Sequence, residues 1–184
     1  EHLVKMKPGG GTICLQLGNV AADNINARAA GTRDTLAGQK VERLTGQNGW
    51  TEIDGCPVFT NDQADLANQQ MADVFTANPK LDAFVLEGGW AQFAPQAYAQ
   101  VTDQVRDKMK AMELVVVAGD TLPPQTEALK AGRSQVQVGQ RPFEMGYRAP
   151  GVMVQLIKGE AVEKVIFTGL DECTPETTET CIAQ

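Results

Sequence analysis

Short apolar runs alternate with amphipathic stretches along this chain, and the runs have the length of strands. The central run covers 115–118 and leads through Gly119 to a carboxylate at Asp120 and a Thr-x-Pro helix start. A β-branched run of this kind predicts a strand buried on both faces that brings one charged side chain to its C-terminal end. Comparable runs, which we also predict to be strands, cover 12–17, 51–59, 81–86 and 135–139.

The amphipathic stretches between these runs predict helices. Residues 1–7 resemble the end of a helix, and a helix capped by Asp23 carries apolar residues at helical spacing until Gly38 ends it. Further helices are predicted after a capping box at 60–63, up to Lys110, over 125–131, and over 142–158 with an interruption at Pro150 and Gly151. The alternation predicts one α/β domain with a doubly wound, Rossmann-like parallel sheet in three αβα layers.

Composition narrows the class of partner. The 184 residues carry a formal net charge of −7, which argues against nucleic acid or an anionic membrane surface, because both are bound through clustered Lys and Arg. No apolar run approaches the length of a membrane span, and no signal peptide is recognisable. We therefore expect a soluble chain that, if exported, has already been processed, and neutral or cationic small molecules remain open as ligands.

The four cysteines predict two disulfides. Cys173 and Cys181 lie in a polar, Thr-rich tail without apolar neighbours to bury them, so a bridge closing that loop is their natural use. Cys14 and Cys56 lie in two successive predicted strands, where neighbouring positions come within bridging distance. Three alternatives stay open: four free cysteines, a free buried Cys14 alone, and a zinc site, which the absence of CxxC spacing and the single histidine disfavour.

Polar residues follow the predicted strands at the edge where open α/β sheets bind ligands. Asn24 and Arg28 follow the first strand, Asp120 the central one and Gln140 the last. Each ring hydroxyl of a sugar or polyol both donates and accepts, so its burial requires donors and acceptors of this kind. The alternative is a structural salt bridge between Arg28 and Asp120.

The turn at 87–90 contributes further candidates to this edge. Its glycines, Gly88 among them, let the main chain approach a ligand closely, and Trp90 follows at once. The indole of Trp90 is suited to stacking on the apolar face of a sugar ring, but an aromatic here is also typical of a core position. The sequence leaves the two roles of Trp90 open.

The sequence contains few of the residue patterns that are typical of catalytic or cofactor-binding sites. The single histidine is His2 and the single serine is Ser134, so no Ser-His-Asp set can be assembled. Gly9 to Gly11 precede their strand, whereas a phosphate-binding loop follows its strand and opens a helix. No spacing recommends a carboxylate pair for glycoside hydrolysis. We expect no enzyme activity, no cofactor and no metal.

Four motifs resemble type I periplasmic binding proteins, and most closely the ribose-type sugar-binding subunits of ABC importers. They are RAAGT at 28–32, MADVFTANPKLDAF at 71–84, AGD at 118–120 and VGQRPFEMG at 138–146. The ending TGLDECTP at 168–175 is similar to a proteobacterial branch of that family. The resemblance holds in order and spacing over nearly the whole chain.

The resemblance implies a two-lobed protein of which residues 1–184 form the C-terminal lobe. The helix at 142–158 would then belong to a missing N-terminal lobe, while Arg28, Asp120 and Gln140 would hydrogen-bond a sugar. Gly88 and Gly89 stand where ribose-type proteins have an amide or acidic side chain, so Trp90 or main-chain groups would substitute, and Pro150 is a second departure.

The implied function is capture of a sugar or polyol in the periplasm and its delivery to the permease of an ABC transporter. The alternative on the same fold is a ligand-sensing domain of a receptor or transcriptional regulator. Paired cysteines and the lack of a basic helix-turn-helix segment disfavour a cytoplasmic regulator.

Overall fold

A seven-stranded mixed sheet forms the centre of the molecule, whose computed structural model describes residues 1–181. The strands are β1 Gly11–Leu17, β2 Trp50–Glu52, β3 Val58–Phe59, β4 Ala83–Leu86, β5 Val115–Gly119, β6 Val136–Gln140 and β7 Leu170–Cys173. The order across the sheet is β2-β1-β4-β5-β6-β7, and β3 pairs with the end of β1 beyond β2. All pairs are parallel except the one between β6 and β7.

Within residues 1–181, seven α-helices connect and cover these strands. They are α1 His2–Met6, α2 Asp23–Ala37, α3 Ala64–Ala77, α4 Pro95–Gln104, α5 Arg106–Lys110, α6 Pro123–Lys130 and α7 Pro142–Ile157. Short 3₁₀ turns cover Gln47–Gly49 and Trp90–Phe93. This architecture confirms the predicted three-layer α/β class.

Two apolar clusters occupy the two faces of the sheet. Helices α3 to α6 pack on one face, where Met71 and Tyr98 meet Phe84 and Val116 of the strands. Helices α1 and α2 pack on the other face, where Leu36 contributes to the second cluster. Strands covered on both faces need apolar residues at successive positions, which is why β4 and β5 are continuous apolar runs.

The predicted strand at 51–59 is wrong in its middle. Two short strands, β2 and β3, replace it, and Cys56 lies in the turn between them. Asp54 and Gly55 favour a turn, Gly55 has a φ of +79°, and Pro57 has no N–H to donate to a strand partner. These local signals override the apolar pattern.

The predicted side-chain caps of two helices are also wrong. Helix α2 begins at Asp23 itself, after Ala22, and no side chain caps it, so Asp23 acts only as an acidic residue in the first turn. Before α3, the Thr60 hydroxyl accepts a hydrogen bond from the N–H of Asp62 at 3.2 Å instead of capping the helix. Asn61 and Asp62 have positive φ, so the chain makes a tight turn there before α3 starts.

Helix α7 runs without the predicted interruption, although Pro150 lies inside it. Because Pro150 has no N–H, it cannot donate to the carbonyl of Gly146, but the helix continues on both sides of this missing hydrogen bond. No residue of α7 is buried. Its large apolar side chains are exposed together with those of the segment that follows, namely Phe143, Met145, Tyr147, Met153, Val154, Leu156, Ile157, Val165, Ile166 and Phe167.

Strand β7 was not predicted, and it corrects the expectation of a purely parallel sheet. Its polar sequence Leu-Asp-Glu-Cys lacks an apolar run, but main-chain pairing with β6 aligns Leu170 with Gln140 and Cys173 with Gln137. An edge strand can gain its stability from pairing on one side, so its side chains need not be apolar.

Both predicted disulfides are present in the structure, which therefore excludes four free cysteines. Cys14 and Cys56 are bridged with their Cα atoms 5.4 Å apart, and Cys173 and Cys181 with theirs 5.6 Å apart. The second pair does have an apolar neighbour, because both sulfurs belong to a small buried cluster with Leu129 of α6. None of the helices in residues 1–181 combines the length and the hydropathy needed to cross a membrane.

Candidate ligand-binding site

The C-terminal ends of β1, β4, β5 and β6 meet at one edge of the sheet. Asp120 directly follows β5, Gln140 is the last residue of β6, and Glu87 directly follows β4. Arg28 reaches the same place from the second turn of α2. Crevices at this edge are where open α/β sheets bind ligands.

Asp120 is the centre of the polar cluster. Its Oδ1 lies 3.7 Å from Nη1 of Arg28 and 3.5 Å from Nε2 of Gln140, and its Oδ2 accepts the N–H of Gly89 at 3.2 Å. The structure thus brings three predicted site residues together and also contains the ion pair of the structural alternative. The side chains of Arg28 and Asp120 each keep 27% exposure, so both remain accessible to a ligand.

The guanidinium of Arg28 is also held by main chain. Its Nη1 donates to the carbonyl oxygen of Glu87 at 2.6 Å. Because a carbonyl has no charge to neutralise, this contact orients Arg28 without using up its capacity for a further acceptor. Donors of Arg28 therefore remain available at the edge of the sheet.

The backbone of Asp120 adopts the left-handed conformation, with a φ of +70°. Aspartate tolerates this region better than most residues with a side chain. The N–H of Asp120 donates to the carbonyl of Val138 at 2.8 Å. In the amide orientation that satisfies all its neighbours, the buried Gln137 donates to the carbonyls of Asp120 at 3.1 Å and Ala118 at 3.2 Å. Two strands thus fix the position from which the carboxylate projects.

The turn after β4 is held through both main-chain polar groups of Gly89. The N–H of Gly89 bonds to Asp120, and its carbonyl accepts from Nε2 of the buried Gln125 at 3.1 Å. Gly88 is buried under Trp90, because a Cβ at Gly88 would lie 2.6 Å from Cη2 of the indole. The absence of a side chain at Gly88 is therefore what allows the indole to lie against this turn.

Trp90 is half-buried and packs against both apolar clusters, and its ring also lies over Gly18 at the end of β1. Because the indole contacts the core and also keeps an exposed part, it is compatible with both predicted roles, a core position and stacking on a sugar ring. Asn24 lies exposed in the first turn of α2. It makes none of the hydrogen bonds that join Arg28, Asp120 and Gln140.

Glu87 is a further candidate residue of this cluster that the sequence pattern did not single out. Its side chain points to the α2 face of the sheet, where burial raises its pKa from 4.5 to about 7, against the opposing effects of a hydrogen bond with Thr32 and of the positive charges of Arg28 and Arg33. Its Oε1 is buried and has no hydrogen-bond partner in the described part of the chain. The available signal was its place at the end of a predicted strand, directly before two glycines.

A cavity of about 410 Å³ extends from this cluster along the α2 face of the sheet. Arg28, Glu87 and Gln140 line it together with Thr32, and its remaining wall is largely apolar, including Leu3, Leu36, Val85, Val117, Val136 and Val138. Across residues 1–181, no group of His, Cys, Asp and Glu side chains is arranged to hold a metal ion.

The sequence matches the family model described as a periplasmic binding protein domain over residues 1–161. The chain belongs to this family. That match confirms the resemblance, and the two-sided helical covering of the sheet is the fold of these binding proteins. No curated protein sequence matches the chain.

Solved structures of periplasmic binding proteins are similar to this chain. An ABC transporter solute-binding protein from Burkholderia graminis in complex with D-arabinose is 26% identical, with a TM-score of 0.79 over 98% of this chain and 58% of that one. One from Actinobacillus succinogenes with bound D-allose is 16% identical, with a TM-score of 0.75 over 97% and 57%. One from Bacillus halodurans with bound myo-inositol is 19% identical, with a TM-score of 0.72 over 97% and 56%. The chain spans less than two thirds of the length of these binding proteins.

Proposed function

We propose that this chain is the C-terminal lobe of a solute-binding protein that captures a sugar or polyol in the periplasm for an ABC importer. The observation that carries the proposal is the convergence of Arg28, Asp120 and Gln140 at the carboxyl edge of the sheet. The structural neighbours that bind D-arabinose, D-allose and myo-inositol support a polyhydroxyl ligand. The two disulfides support an oxidising compartment such as the periplasm.

Each residue of the cluster has a distinct part in the proposed site. Asp120 accepts hydrogen bonds from ring hydroxyls, while Arg28 and the amide of Gln140 donate to ring and hydroxyl oxygens. Trp90 offers an aromatic face to the apolar side of the ring, above the turn that contains Gly88. Asn24, exposed at the start of α2, would reach the ligand only at the rim of the cleft.

The proposed mechanism is reversible binding between two lobes and not catalysis. Residues 142–158 and the exposed apolar segment after them would pack on the N-terminal lobe, which explains why no residue of α7 is buried against the sheet described above. Hinge closure would bury the ligand, and the permease would recognise the closed form. The chain's length relative to its neighbours supports this two-lobe arrangement.

Calorimetric titration of the full two-lobed protein with D-arabinose, D-allose and myo-inositol tests the proposal. The decisive variant is Asp120→Asn, because asparagine also tolerates the positive φ at this position, whereas Asp120→Ala would add backbone strain. We expect Asp120→Asn to weaken binding of the best ligand by about 2 to 5 kcal/mol, since a charged partner is lost from a partly desolvated cluster.

The matched control is Asp73→Asn, the same substitution at an exposed position of α3. It should bind as the parent does. If Asp120→Asn also binds as tightly as the parent, the cluster is structural, and if none of the three ligands binds at all, the proposed ligand class is wrong.

A further inference from the structure

Glu87 is the carboxyl group in its neighbourhood that makes no ion pair. Three guanidinium groups and three carboxyl groups lie in this part of the structure, namely Arg28, Arg33, Arg43, Glu52, Glu87 and Asp120. Arg33 donates to Glu52 through Nε to Oε1 at 2.7 Å and through Nη2 to Oε2 at 2.9 Å, and Nη1 of Arg43 lies 3.8 Å from the same Oε2. Arg28 directs Nη1 at Asp120 and at the main-chain carbonyl of Glu87. Arg28 and Arg33 therefore act on the Glu87 carboxyl group only at longer range.

The other groups around the cavity supply no cation that pairs with Glu87. Gln140 is neutral, and Thr32 offers only a hydroxyl. At the far rim, Nε2 of His2 lies 2.7 Å from Oε2 of Glu172, so its contact is with that side chain and not with Glu87, and Glu1 adds another carboxylate. A buried carboxylate without an ion pair is costly, and the group avoids the cost by binding a proton.

The Glu87 side chain also has an unused hydrogen-bonding atom at the ligand site. Glu87 is 6% exposed, its Oε1 has no partner, and it lines the same cavity as Arg28 and Gln140. A carboxyl group that is protonated can donate as well as accept, which matches the two-way hydrogen bonding of a hydroxyl. The burial of Glu87 raises its pKa to about 7. At a pH near this pKa, a change in the environment of the carboxyl group has its largest effect on the fraction that is protonated.

These observations, taken with the proposed function on which the inference rests, assign a second role to the site. We propose that Glu87 couples ligand capture to a proton: the site binds an uncharged polyhydroxyl ligand with Glu87 protonated, and ionised Glu87 weakens binding. Closure of the cleft removes water from the cavity and raises the cost of a carboxylate without an ion pair, so binding takes up a proton near neutral pH. The site accordingly selects neutral sugars and polyols and not aminosugars, whose ammonium group would favour ionised Glu87.

Calorimetry of the full protein in pairs of buffers with different ionisation enthalpies measures this proton directly. The probe is whichever of D-arabinose, D-allose and myo-inositol binds best to the parent. At pH 7 we expect uptake of a fraction of a proton per ligand, and the affinity should fall about tenfold between pH 6 and pH 8.5. Glu87→Gln should abolish the uptake and make the affinity independent of pH in this range. Glu127→Gln, at a position of α6 where the side chain is 71% exposed, should behave as the parent does.

The outcomes separate this inference from the proposed function. A ligand that binds the parent equally well at both pH values without proton uptake overturns the role of Glu87 and leaves sugar capture standing. Proton release, or tighter binding of glucosamine than of the neutral sugars at pH 7, also overturns it. Failure of every ligand at every pH overturns both proposals. The buffer comparison on the parent needs no variant, so misfolding of Glu87→Gln would not remove the test.

Discussion

At the scale of single residues, the buried carboxyl of Glu87 makes the free energy of unfolding depend on pH. Its pKa is raised in the folded chain to about 7 from an ordinary 4.5, so the folded state binds this proton more tightly than the unfolded state does. The stabilisation is therefore complete below pH 4.5 and is lost as the pH rises to about 7. The variant Glu87→Gln keeps a neutral side chain at every pH and should escape that loss.

We expect Glu87→Gln to gain about 2.5 kcal/mol of stability relative to the parent between pH 5 and pH 8, at roughly 1.36 kcal/mol per unit of pKa. Urea unfolding of both proteins at the two pH values measures this change. The exposed variant Glu127→Gln should show no such pH-dependent difference. A constant difference between Glu87→Gln and the parent would mean that Glu87 titrates normally in the folded chain.

At the scale of elements, the turn between β4 and the following 3₁₀ turn is held by packing as well as by hydrogen bonds. A Cβ at Gly88 would overlap the indole of Trp90, so Gly88→Ala must displace the ring or the turn. We expect a shift in the Trp90 fluorescence emission and a loss of ligand affinity of roughly 1 to 3 kcal/mol, typical of overpacking a tight contact. Gly9→Ala is the control, since a Cβ there would meet no atom within 4 Å.

The two disulfides close loops of very different length, which predicts unequal contributions to stability. The bridge from Cys14 to Cys56 spans 42 residues, and the bridge from Cys173 to Cys181 spans 8. Loop-closure entropy gives about 4 kcal/mol for the longer loop and about 2.5 kcal/mol for the shorter. Denaturant unfolding of the two Cys→Ser double variants should rank them in that order. Thiol titration of the denatured, unreduced parent should find no free thiol, and four free thiols would contradict both bridges.

At the scale of the whole molecule, helix α7 has no residue buried against the rest of residues 1–181. Helix α7 and the segment after it expose Phe143, Tyr147, Ile157 and Phe167, with 67%, 74%, 82% and 86% of each residue accessible. A contiguous exposed apolar surface of this kind is typical of an interface. We expect the chain produced alone to self-associate and to bind an apolar dye, and the full two-lobed protein to do neither.

Sedimentation and dye fluorescence of the isolated chain measure this surface. The variant Phe143→Ser/Phe167→Ser should reduce both signals, whereas Phe93→Ser, at an exposed position away from α7, should leave them unchanged. A monomeric isolated chain that binds no dye would contradict the two-lobe proposal for residues 142–158.

The sequence by itself determined the layers and most of the strands. A continuous apolar run such as 115–118 predicts a strand that is buried on both faces. The stretches with helical spacing between such runs predict helices that connect parallel strands, so the α/β class follows from the local pattern. The same pattern places Asp120 and Gln140 at strand ends and hence at one edge. The cysteine spacing in a polar tail likewise predicted the bridge from Cys173 to Cys181.

Tertiary structure alone decided features that depend on distant neighbours. Strand β7 forms because its main chain pairs with that of β6. No apolar pattern in the sequence predicts this pairing. The pKa of Glu87 is raised because α2 buries its carboxyl group, while Arg28 and Arg33 donate their hydrogen bonds to other acceptors. A sequence shows neither the burial nor the hydrogen-bond partners. Turn signals at Asp54 and Gly55 competed with an apolar run, and the turn prevailed because Pro57 has no N–H to donate. Sequence patterns indicate which faces of helices and strands must be buried. Which charged groups pair inside a site depends on elements that are distant in the sequence and meet only in the folded structure.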